Sequence, residues 1–265
     1  MSRTATSGKA LVSGAFFFAS LLCVAPIQAA SGPECRTDRV DGSYAVKHVY
    51  DGDTIRLENG DKVRLIGINT PELGRNGKPS EPYSRKARNR LEQLLRENRS
   101  RVSLRRGVES RDRYGRQLAH AYLADRRSLA AIMLREGLAA RVSIPPNLYA
   151  LDCYRRAESV ARNAALGIWS QVQWRGVRAK ALPGSQRGFA LVRGTVGGVR
   201  HQGNSLTFTL DGKLLIRIPA AYREHFGGDF PGDLVGHDVV VRGWIGSHRG
   251  RQYMHLKHPA ALARE

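Results

Sequence analysis

The stretch that decides the fold is Tyr50-Asp-Gly-Asp-Thr-Ile-Arg-Leu-Glu-Asn-Gly-Asp-Lys-Val-Arg-Leu-Ile-Gly-Ile68. It contains two short β-rich runs, residues 54–57 and 62–68, and each follows an Asp-Gly or Asn-Gly pair. Such pairs favour tight turns, and alternating apolar and polar residues are typical of a half-buried strand. We therefore predict that the two runs are consecutive strands of a barrel.

Similar patterns continue on both sides of this stretch. Further strands are predicted at residues 44–50, 101–106 and 118–124. Apolar residues recur at helical spacing in residues 84–97, 128–136 and 151–166. Ser84 and Ser128 are predicted N-caps, and Gly137 and Gly167 are predicted to end the second and third helices. Short strands with three helices predict a mainly β, α+β domain, a partly open Greek-key barrel of the oligonucleotide-binding (OB) type.

The chain is strongly basic. Its 265 residues carry 43 Lys and Arg against 23 Asp and Glu, a formal net charge of +20. This excess favours polyanionic partners. An arginine-rich surface that only keeps the protein soluble explains the same number, so charge alone does not establish a function.

Residues 1–29 are predicted to be a secretory signal peptide. Arg3 and Lys9 precede or border an apolar run at residues 11–25, and small residues around Ala29 fit a cleavage site. The run is shorter than the ~20 residues that span a bilayer. We expect a periplasmic or secreted protein with no stable membrane association after cleavage. No oligomerisation signal is evident, so a monomer is expected.

Two cysteines remain after removal of Cys23 with the signal peptide. Cys35 and Cys153 form an even pair, which in an oxidising compartment predicts a disulfide. Two free buried thiols are the alternative.

Residues 175–188 have the composition of a linker and lack periodicity. They are predicted to separate a domain at residues 30–174 from a small β domain at residues 189–265. Five strands and one short helix are predicted in the latter, at residues 189–199, 205–210, 213–218, 238–245 and 252–256, with the helix at 220–226. The order fits a second OB-like barrel, and other small barrels fit the same strand count.

Three separated clusters combine charged and turn-forming residues: Asp51-Gly-Asp53-Thr54, Arg64-Leu-Ile-Gly-Ile-Asn69-Thr70-Pro71-Glu72 and Asp112-Arg-Tyr114-Gly-Arg116. Alone, each is typical of a turn or a solvated strand end. Together they offer a carboxylate oxygen for a hard cation at Asp53, a base at Glu72, and guanidinium forks at Arg64 and Arg116. Cleavage of a phosphodiester requires such a set.

In order and spacing, these clusters resemble the staphylococcal nuclease (thermonuclease) family. The similarity continues through Gly115-Arg-Gln-Leu-Ala119, Arg135-Glu-Gly-Leu-Ala139 and Gly167-Ile-Trp-Ser170, and spans half the chain. It implies a five-stranded OB barrel with three helices. It also implies a hydrolase, an endonuclease that cleaves DNA and RNA by in-line attack of water and leaves 3′-phosphates.

The resemblance implies specific roles for the matching residues. Arg64, Glu72 and Arg116 would be catalytic, with Glu72 activating water and the arginines holding the developing negative charge. One Ca²⁺ ion would be bound by three further residues: Asp53, Asn69 and the carbonyl oxygen of Thr70. Tyr114 would contact the substrate.

Two departures from the family pattern stand out. Asn69 replaces an aspartate ligand, which removes one negative charge and predicts a weaker calcium site. The stretch that supplies stacking tyrosines in the family is here residues 141–147, which contain no aromatic residue. Tyr83 and Tyr149 lie in predicted loops near enough to substitute, or are packed surface tyrosines.

Two basic regions have no assigned chemistry. Lysines and arginines crowd residues 78–90, where they either guide a nucleic-acid strand or form an ordinary solvated helix face. The 189–265 domain is predicted to be auxiliary and to raise the local concentration of nucleic acid.

Three classes of function fit the scaffold: an exported nuclease, a noncatalytic nucleic-acid-binding module, and a structural envelope protein. Retention of Glu72 with both arginines favours the nuclease, because binding alone requires no base beside the phosphate.

Overall fold

The computed structural model describes residues 1–2, 34–74, 77–228 and 230–265. The chain divides into two compact units, Met1–Ala30 and Ser31–Glu265, and the description below concerns the second. Apart from its first two residues, the predicted signal peptide, with Cys23, lies outside the described residues. In the part of the chain that is described, no helix has both the length and the apolar character needed to cross a membrane.

The strands of the N-terminal half are β1 (Gly42–Val49), β2 (Thr54–Leu57), β3 (Lys62–Leu65), β4 (Ile68–Asn69), β5 (Arg101–Arg111), β6 (Gln117–Tyr122) and β7 (Ala140–Arg141). Five of them close into a barrel in the order β1-β2-β3-β6-β5, while β4 pairs with β7. Pairing of β3 with β6 is parallel, and the other barrel pairs are antiparallel.

The opening stretch forms two barrel strands as predicted, with Ile55 and Val63 fully buried. The predicted strand at residues 62–68 is nevertheless divided into β3 and β4. Gly67 interrupts it with φ of +86°, and a Cβ there would come within 2.4 Å of the Tyr154 ring. Only glycine fits this conformation and this close approach.

Three α-helices accompany the barrel: α1 (Ser84–Glu97), α2 (Leu129–Arg135) and α3 (Leu151–Asn163). The bounds of α1 agree with the prediction, because Ala87, Leu91 and Leu95 recur at helical spacing and pack in the core. Ser128 caps α2 as predicted, since its hydroxyl accepts a hydrogen bond from the Ala131 N–H at 3.3 Å.

Two predicted helix ends are wrong. Ser84 does not cap α1: its hydroxyl donates to the Glu81 carbonyl oxygen at 2.6 Å, and Tyr83 precedes the helix with φ of +70°. Gly167 does not end α3. The chain already turns at Ala165, which has φ of +49°, so Gly167 instead begins a short 3-10 helix.

The strands of the C-terminal half are β8 (Val177–Arg178), β9 (Gly188–Thr195), β10 (Arg200–Gln202), β11 (Ser205–Leu210), β12 (Leu214–Ile218), β13 (Asp238–His248), β14 (Arg251–His255) and β15 (Leu262–Arg264). The five predicted strands correspond to β9, β11, β12, β13 and β14. The predicted helix at residues 220–226 is a 3-10 helix, Ala220–His225.

This second sheet repeats the topology of the first barrel. Its main path is β10-β11-β12-β14-β13-β9-β8. If β9, β11, β12, β13 and β14 are counted one to five, the third and fifth strands pair in parallel, as β3 and β6 do. A bridge between Val196 and Leu210 brings the end of β9 back to β11. The second sheet is therefore OB-like, and the predicted fold class is confirmed.

The segment at residues 175–188, predicted as a linker, contains β8 and a 3-10 helix, Ala179–Ala181. Ala179 and Leu182 are buried in the core of the second sheet. The first part of the segment is thus packed against the second sheet, whereas most of residues 183–188 are exposed.

Two contacts tie α3 to distant parts of the fold. Cys35, ahead of β1, forms a disulfide with Cys153 on α3, as predicted. On the same helix, the buried Glu158 carboxylate accepts hydrogen bonds from the Arg242 guanidinium of β13 and from the backbone N–H of Arg141 on β7. The second sheet is therefore anchored directly to the strand that pairs with β4.

Candidate active site

Asp53 is at the centre of the first polar cluster. Its Oδ2 atom accepts hydrogen bonds from the Thr70 N–H at 2.9 Å and the Thr70 hydroxyl at 3.1 Å. Its Oδ1 atom accepts from the Thr54 hydroxyl at 3.1 Å. The side chain is buried, so these bonds fix its carboxylate against the loop that follows β4.

Arg64 places a positive charge between two of the predicted ligand oxygens. From β3, its Nη2 atom lies 3.1 Å from Asp53 Oδ2 and 3.2 Å from Asn69 Oδ1. Its Nη1 atom donates to the Leu65 carbonyl oxygen at 2.8 Å. The oxygens of Asp53 and Asn69 thus converge on a single cationic nitrogen inside a largely buried site.

Asp51 adds a second carboxyl group to this cluster. Its Oδ1 atom accepts a hydrogen bond from the Asp53 N–H at 3.0 Å. Burial raises the pKa of the Asp51 carboxyl to about 7, and the neighbouring charge of Asp53 adds to the rise. A cation bound beside the two carboxyl groups would offset their repulsion and favour the ionised form of Asp51.

Glu72 lies on the exposed loop two residues after Thr70. Its backbone is held at both ends by Glu81: the Glu72 N–H donates to Glu81 Oε2 at 2.9 Å, and the Glu72 carbonyl accepts from the Glu81 N–H at 2.9 Å. This two-sided contact fixes the backbone of Glu72 two residues after Thr70, at an exposed position.

Arg116 belongs to the turn between β5 and β6, where Asp112 holds it. Nε and Nη2 of Arg116 both lie 2.8 Å from Asp112 Oδ2, and the Arg116 and Tyr114 N–H groups donate to Asp112 Oδ1. Partial burial would raise the pKa of Asp112, but the hydrogen bonds from Arg116 outweigh it and lower the pKa below its usual value. The exposed Tyr114 ring lies 5.5 Å from the Arg116 guanidinium carbon.

The barrel brings the two arginine groups to adjacent strands. Arg64 on β3 is paired with Leu118 on β6, and Arg116 precedes Leu118 by two residues. Because paired residues share a face and side chains alternate, Arg64 and the start of β6 are presented on the same side of the barrel. In this structure the Arg64 guanidinium contacts Asp53 and Asn69, and the Arg116 guanidinium contacts Asp112.

A family model described as staphylococcal nuclease homologue matches residues 62–171. Thermonuclease from Staphylococcus intermedius is 37% identical over 142 residues, covering 51% of this chain and 80% of that protein. The chain belongs to the staphylococcal nuclease homologue family. Endonuclease YncB from Bacillus subtilis (strain 168) is 32% identical over 148 residues, covering 54% of this chain and 69% of that protein. The predicted family and the predicted enzyme class, a hydrolytic nuclease, are confirmed.

This nuclease homologue has donor groups that suit a calcium ion. The ion favours oxygen ligands, and the three predicted ligands supply a carboxylate, an amide oxygen and a carbonyl oxygen at adjacent positions. The convergence of Asp53 and Asn69 oxygens on the Arg64 cation fits a site for positive charge. Among the described residues, no three His, Cys, Asp or Glu side chains form a metal-binding group. Of the three predicted ligands, only Asp53 has a side chain that can carry a negative charge.

Three positioning residues were not assigned from the sequence. Asp51 and Asp112 lie inside the quoted motifs. Asp51 is two residues before Asp53, and Asp112 is four residues before Arg116; these spacings could have indicated the contacts. Glu81 had none, because its contact with Glu72 depends on how the loop between β4 and α1 folds back.

The stretch at residues 141–147, which contains no aromatic residue, begins with a buried arginine that contacts the C-terminal half of the chain. Arg141 is 5% exposed, donates to the Ser143 hydroxyl oxygen at 2.7 Å, and reaches the Ala260 carbonyl oxygen at 2.9 Å. The Tyr149 ring packs 3.4 Å from the Arg105 guanidinium carbon, and the Tyr83 hydroxyl lies 3.3 Å from Ser170 Oγ. Tyr149 is thus held against Arg105 although it is exposed, and Tyr114 is the more exposed ring and lies beside Arg116.

The basic residues of α1 divide between structural and exposed positions. Arg90 makes a two-pronged ion pair with Glu136 at 2.7 and 2.8 Å, and Arg88 donates to the Val49 carbonyl oxygen at 3.2 Å. Arg85 and Lys86 are exposed. Only part of the predicted basic cluster is thus available to a ligand.

Proposed function

We propose that this nuclease homologue is an exported, calcium-dependent phosphodiesterase that cleaves DNA and RNA by in-line attack of water and leaves 3′-phosphates. The observation that best supports this proposal is the convergence of Asp53 and Asn69 oxygens on Arg64, next to the loop that contains Glu72. This arrangement unites a candidate cation site, a base and a guanidinium fork within residues 53–72.

Asp53, Asn69 and the Thr70 carbonyl would hold the calcium ion, which supplies positive charge to a phosphate oxygen. Arg64 and Arg116 are suited to hold the remaining phosphate oxygens, because each guanidinium can donate two parallel hydrogen bonds. Glu72, exposed on its loop, takes the proton of the attacking water. The bond from phosphorus to the 5′ oxygen breaks as the water oxygen bonds to phosphorus, and solvent water supplies the proton of the departing 5′ hydroxyl. Recognition through phosphate and sugar explains why both DNA and RNA are expected substrates.

The test is a cleavage assay on the purified protein with single-stranded DNA, double-stranded DNA and RNA, in calcium or in a chelator. We expect cleavage with calcium, none with chelator, and products with 3′-phosphate ends. Glu72→Gln should lose at least about a hundredfold in kcat, as expected for a general base, while retaining nucleic-acid binding. Glu58→Gln, an exposed carboxylate in the β2–β3 turn, is the matched control. Cleavage that persists unchanged in Glu72→Gln excludes the assigned base.

Export is proposed on two grounds. The composition of residues 1–29 fits a signal peptide, and the Cys35–Cys153 disulfide suits an oxidising compartment. Expression of the full chain in a bacterium, followed by fractionation and N-terminal sequencing, tests this. A mature N-terminus close to Ala30 in the periplasm or medium is expected, and an uncleaved protein in the cytoplasm is the contrary result.

A further inference from the structure

The second sheet carries a row of polar and basic side chains across four strands. The pairing registers place Arg200 opposite Thr207, Thr207 opposite Arg217, and Arg217 opposite His255. Residues paired across neighbouring strands lie on the same face. Arg200, Arg217 and His255 are exposed, whereas the intervening side chains of β12 and β14 are buried. Arg200, Arg217 and His255 therefore lie on the outward face of the sheet, while Thr207 between them is buried.

An aromatic ring lies next to this row. Tyr253 is paired with Leu215 on one side and Gly246 on the other. A Cβ at position 246 would come within 2.7 Å of the Tyr253 ring, so the ring rests directly on the glycine backbone. The Tyr253 ring is half-buried, and its centroid lies 5.1 Å from that of His255. The ring is supported from below and remains accessible at the surface.

The arginines of this face differ in their ion pairing from the other arginines of the second sheet. Among the described residues, no carboxylate lies within ion-pair distance of Arg200, Arg217, Arg249 or Arg251. Arginines elsewhere in the same sheet are paired: Arg178 with Asp211 and Asp238, Arg193 with Glu265, and Arg264 with Asp233. The excess positive charge of the second sheet is therefore concentrated on one face.

Two basic hairpins border the face at opposite ends of the strands. The β10–β11 hairpin contributes Arg200 and His201, and the β13–β14 hairpin contributes His248, Arg249 and Arg251. In OB barrels, ligands bind on the second and third strands between the loops that join strands one and two and strands four and five. Those elements are here β11 and β12 with these two hairpins.

We propose that this face, made by Arg200, Arg217, Arg249, Arg251, Tyr253 and His255, is a binding site for single-stranded nucleic acid. The arginines contact the phosphates and Tyr253 stacks on a base, the combination that single-strand-binding OB barrels use. The site is separate from the cleavage site and does not depend on the proposed chemistry, because it holds a strand whether or not the first barrel cleaves it.

The test uses the full-length mature protein in a chelator and a fluorescein-labelled oligothymidylate of 25 nucleotides. Anisotropy is measured between 0.05 and 0.3 M NaCl for a triple variant, Arg200→Gln, Arg217→Gln and Arg251→Gln. The control triple, Arg187→Gln, Arg193→Gln and Arg264→Gln, removes the same charge elsewhere. The face variant should lower the slope of log affinity against log salt by about 2, at ~0.7 per lost phosphate contact, and weaken binding at least about tenfold at 0.15 M. The control should change affinity less than about twofold.

A second variant tests stacking without changing charge. Tyr253→Leu should weaken binding of the oligothymidylate at least about fivefold, at the lower end of the range for one stacked base, and leave binding of an abasic strand of equal length unchanged. The face triple variant and Tyr253→Leu should both keep the wild-type melting temperature and the wild-type rate of dinucleotide cleavage in calcium. The site would be overturned if the face triple variant and the control triple variant lost the same affinity. It would also be overturned if Tyr253→Leu weakened binding of the abasic strand as much as binding of the oligothymidylate. Failure of cleavage in every variant, with these binding differences intact, would instead count against the proposed catalytic function.

Discussion

Nη1 of Arg242 on β13 donates to both carboxylate oxygens of Glu158 on α3, at 2.7 and 2.8 Å, across 84 positions of sequence. Both side chains are buried, and Arg141 lies on the other side of the same carboxylate, 4.0 Å away at Nε. One acid therefore balances two cations. Because Arg141 belongs to β7, and Ala140 on β7 pairs with Asn69, this contact also supports the strand that carries a predicted calcium ligand.

Glu158→Gln should destabilise the fold by about 3 to 5 kcal/mol, since it leaves two buried guanidiniums without a counter-charge. Arg242→Met should cost less, because Glu158 and Arg141 remain as a neutral pair. Urea unfolding at pH 7 measures both. Glu265→Gln, which removes the surface partner of Arg193 at 3.8 Å, should cost no more than about 1 kcal/mol. A larger loss for Arg242→Met than for Glu158→Gln would contradict this account.

His120 should make stability depend on pH. It is 2% exposed, and its Nδ1 atom lies 2.9 Å from the Tyr154 hydroxyl. Burial lowers the pKa of His120 to about 4, and the charge of Arg105 adds to the effect. The unfolded chain, with a histidine pKa near 6.5, takes up the proton first, so this contribution is complete above about pH 6.5 and is lost as the pH falls towards 4.

Between pH 8 and pH 5 the loss from His120 should be about 2 kcal/mol. Other groups titrate in the same range, so the measurement is the difference between wild type and His120→Gln in urea unfolding at both pH values. The variant should lose about 2 kcal/mol less than wild type on acidification. Parallel losses in the two proteins would show that His120 is protonated in the folded state.

Removing the disulfide should be costly because it closes a long loop. Cys35 and Cys153 are separated by 118 positions, and in the chain-entropy model such a closure contributes about 4 to 5 kcal/mol. Paired Cys35→Ser and Cys153→Ser substitutions should lower the free energy of unfolding by that amount. A reducing agent should have the same effect on wild type and none on the variant. Reactive thiols in the untreated secreted protein would contradict the pairing.

The sequence predicts most elements whose pattern is local. α1 follows from the spacing of Ala87, Leu91 and Leu95, and β2 and β3 follow from alternation between turn signals. Features that depend on contacts between distant parts of the chain could not be predicted from the sequence. The division of β3 from β4 depends on Tyr154 packing over Gly67. The burial of Arg141 depends on Arg242 and Ala260, which lie in the other half of the chain.

The site shows the same division. Asp53, Arg64, Asn69 and Thr70 meet because their motifs are short and the barrel strands that carry them are adjacent. The hydrogen bond from the Glu72 N–H to the Glu81 carboxylate depends on how the loop between β4 and α1 folds back, and no periodic pattern in the sequence predicts that conformation.

Asp112 should act as a positioning residue for Arg116. The partly exposed Arg116 side chain is restrained by its contacts with Asp112 Oδ2 at 2.8 Å. Asp112→Asn should lower kcat at least about tenfold, as expected when a catalytic group is misplaced by about 1 Å. It should change KM less, because the guanidinium charge remains. Asp61→Asn, which removes the half-buried partner of Arg111, an arginine on the same hairpin as Arg116, should leave kcat unchanged. Equal kcat values for Asp112→Asn and wild type would contradict the assignment.

Asn69→Asp should tighten calcium binding and, in calcium's absence, destabilise the fold. The new carboxylate would join Asp53 and Asp51 with Arg64 as the nearby cation, 3.2 Å from the present Asn69 oxygen. Ligand charge sets calcium affinity, so calorimetry should show a Kd at least about tenfold lower than in wild type. Like charges without the ion repel, so the melting temperature should fall in chelator and rise above wild type in millimolar calcium. Asn89→Asp, which adds the same charge at an exposed position of α1, should do neither. An unchanged Kd in Asn69→Asp would remove position 69 from the calcium site, whatever its effect on cleavage.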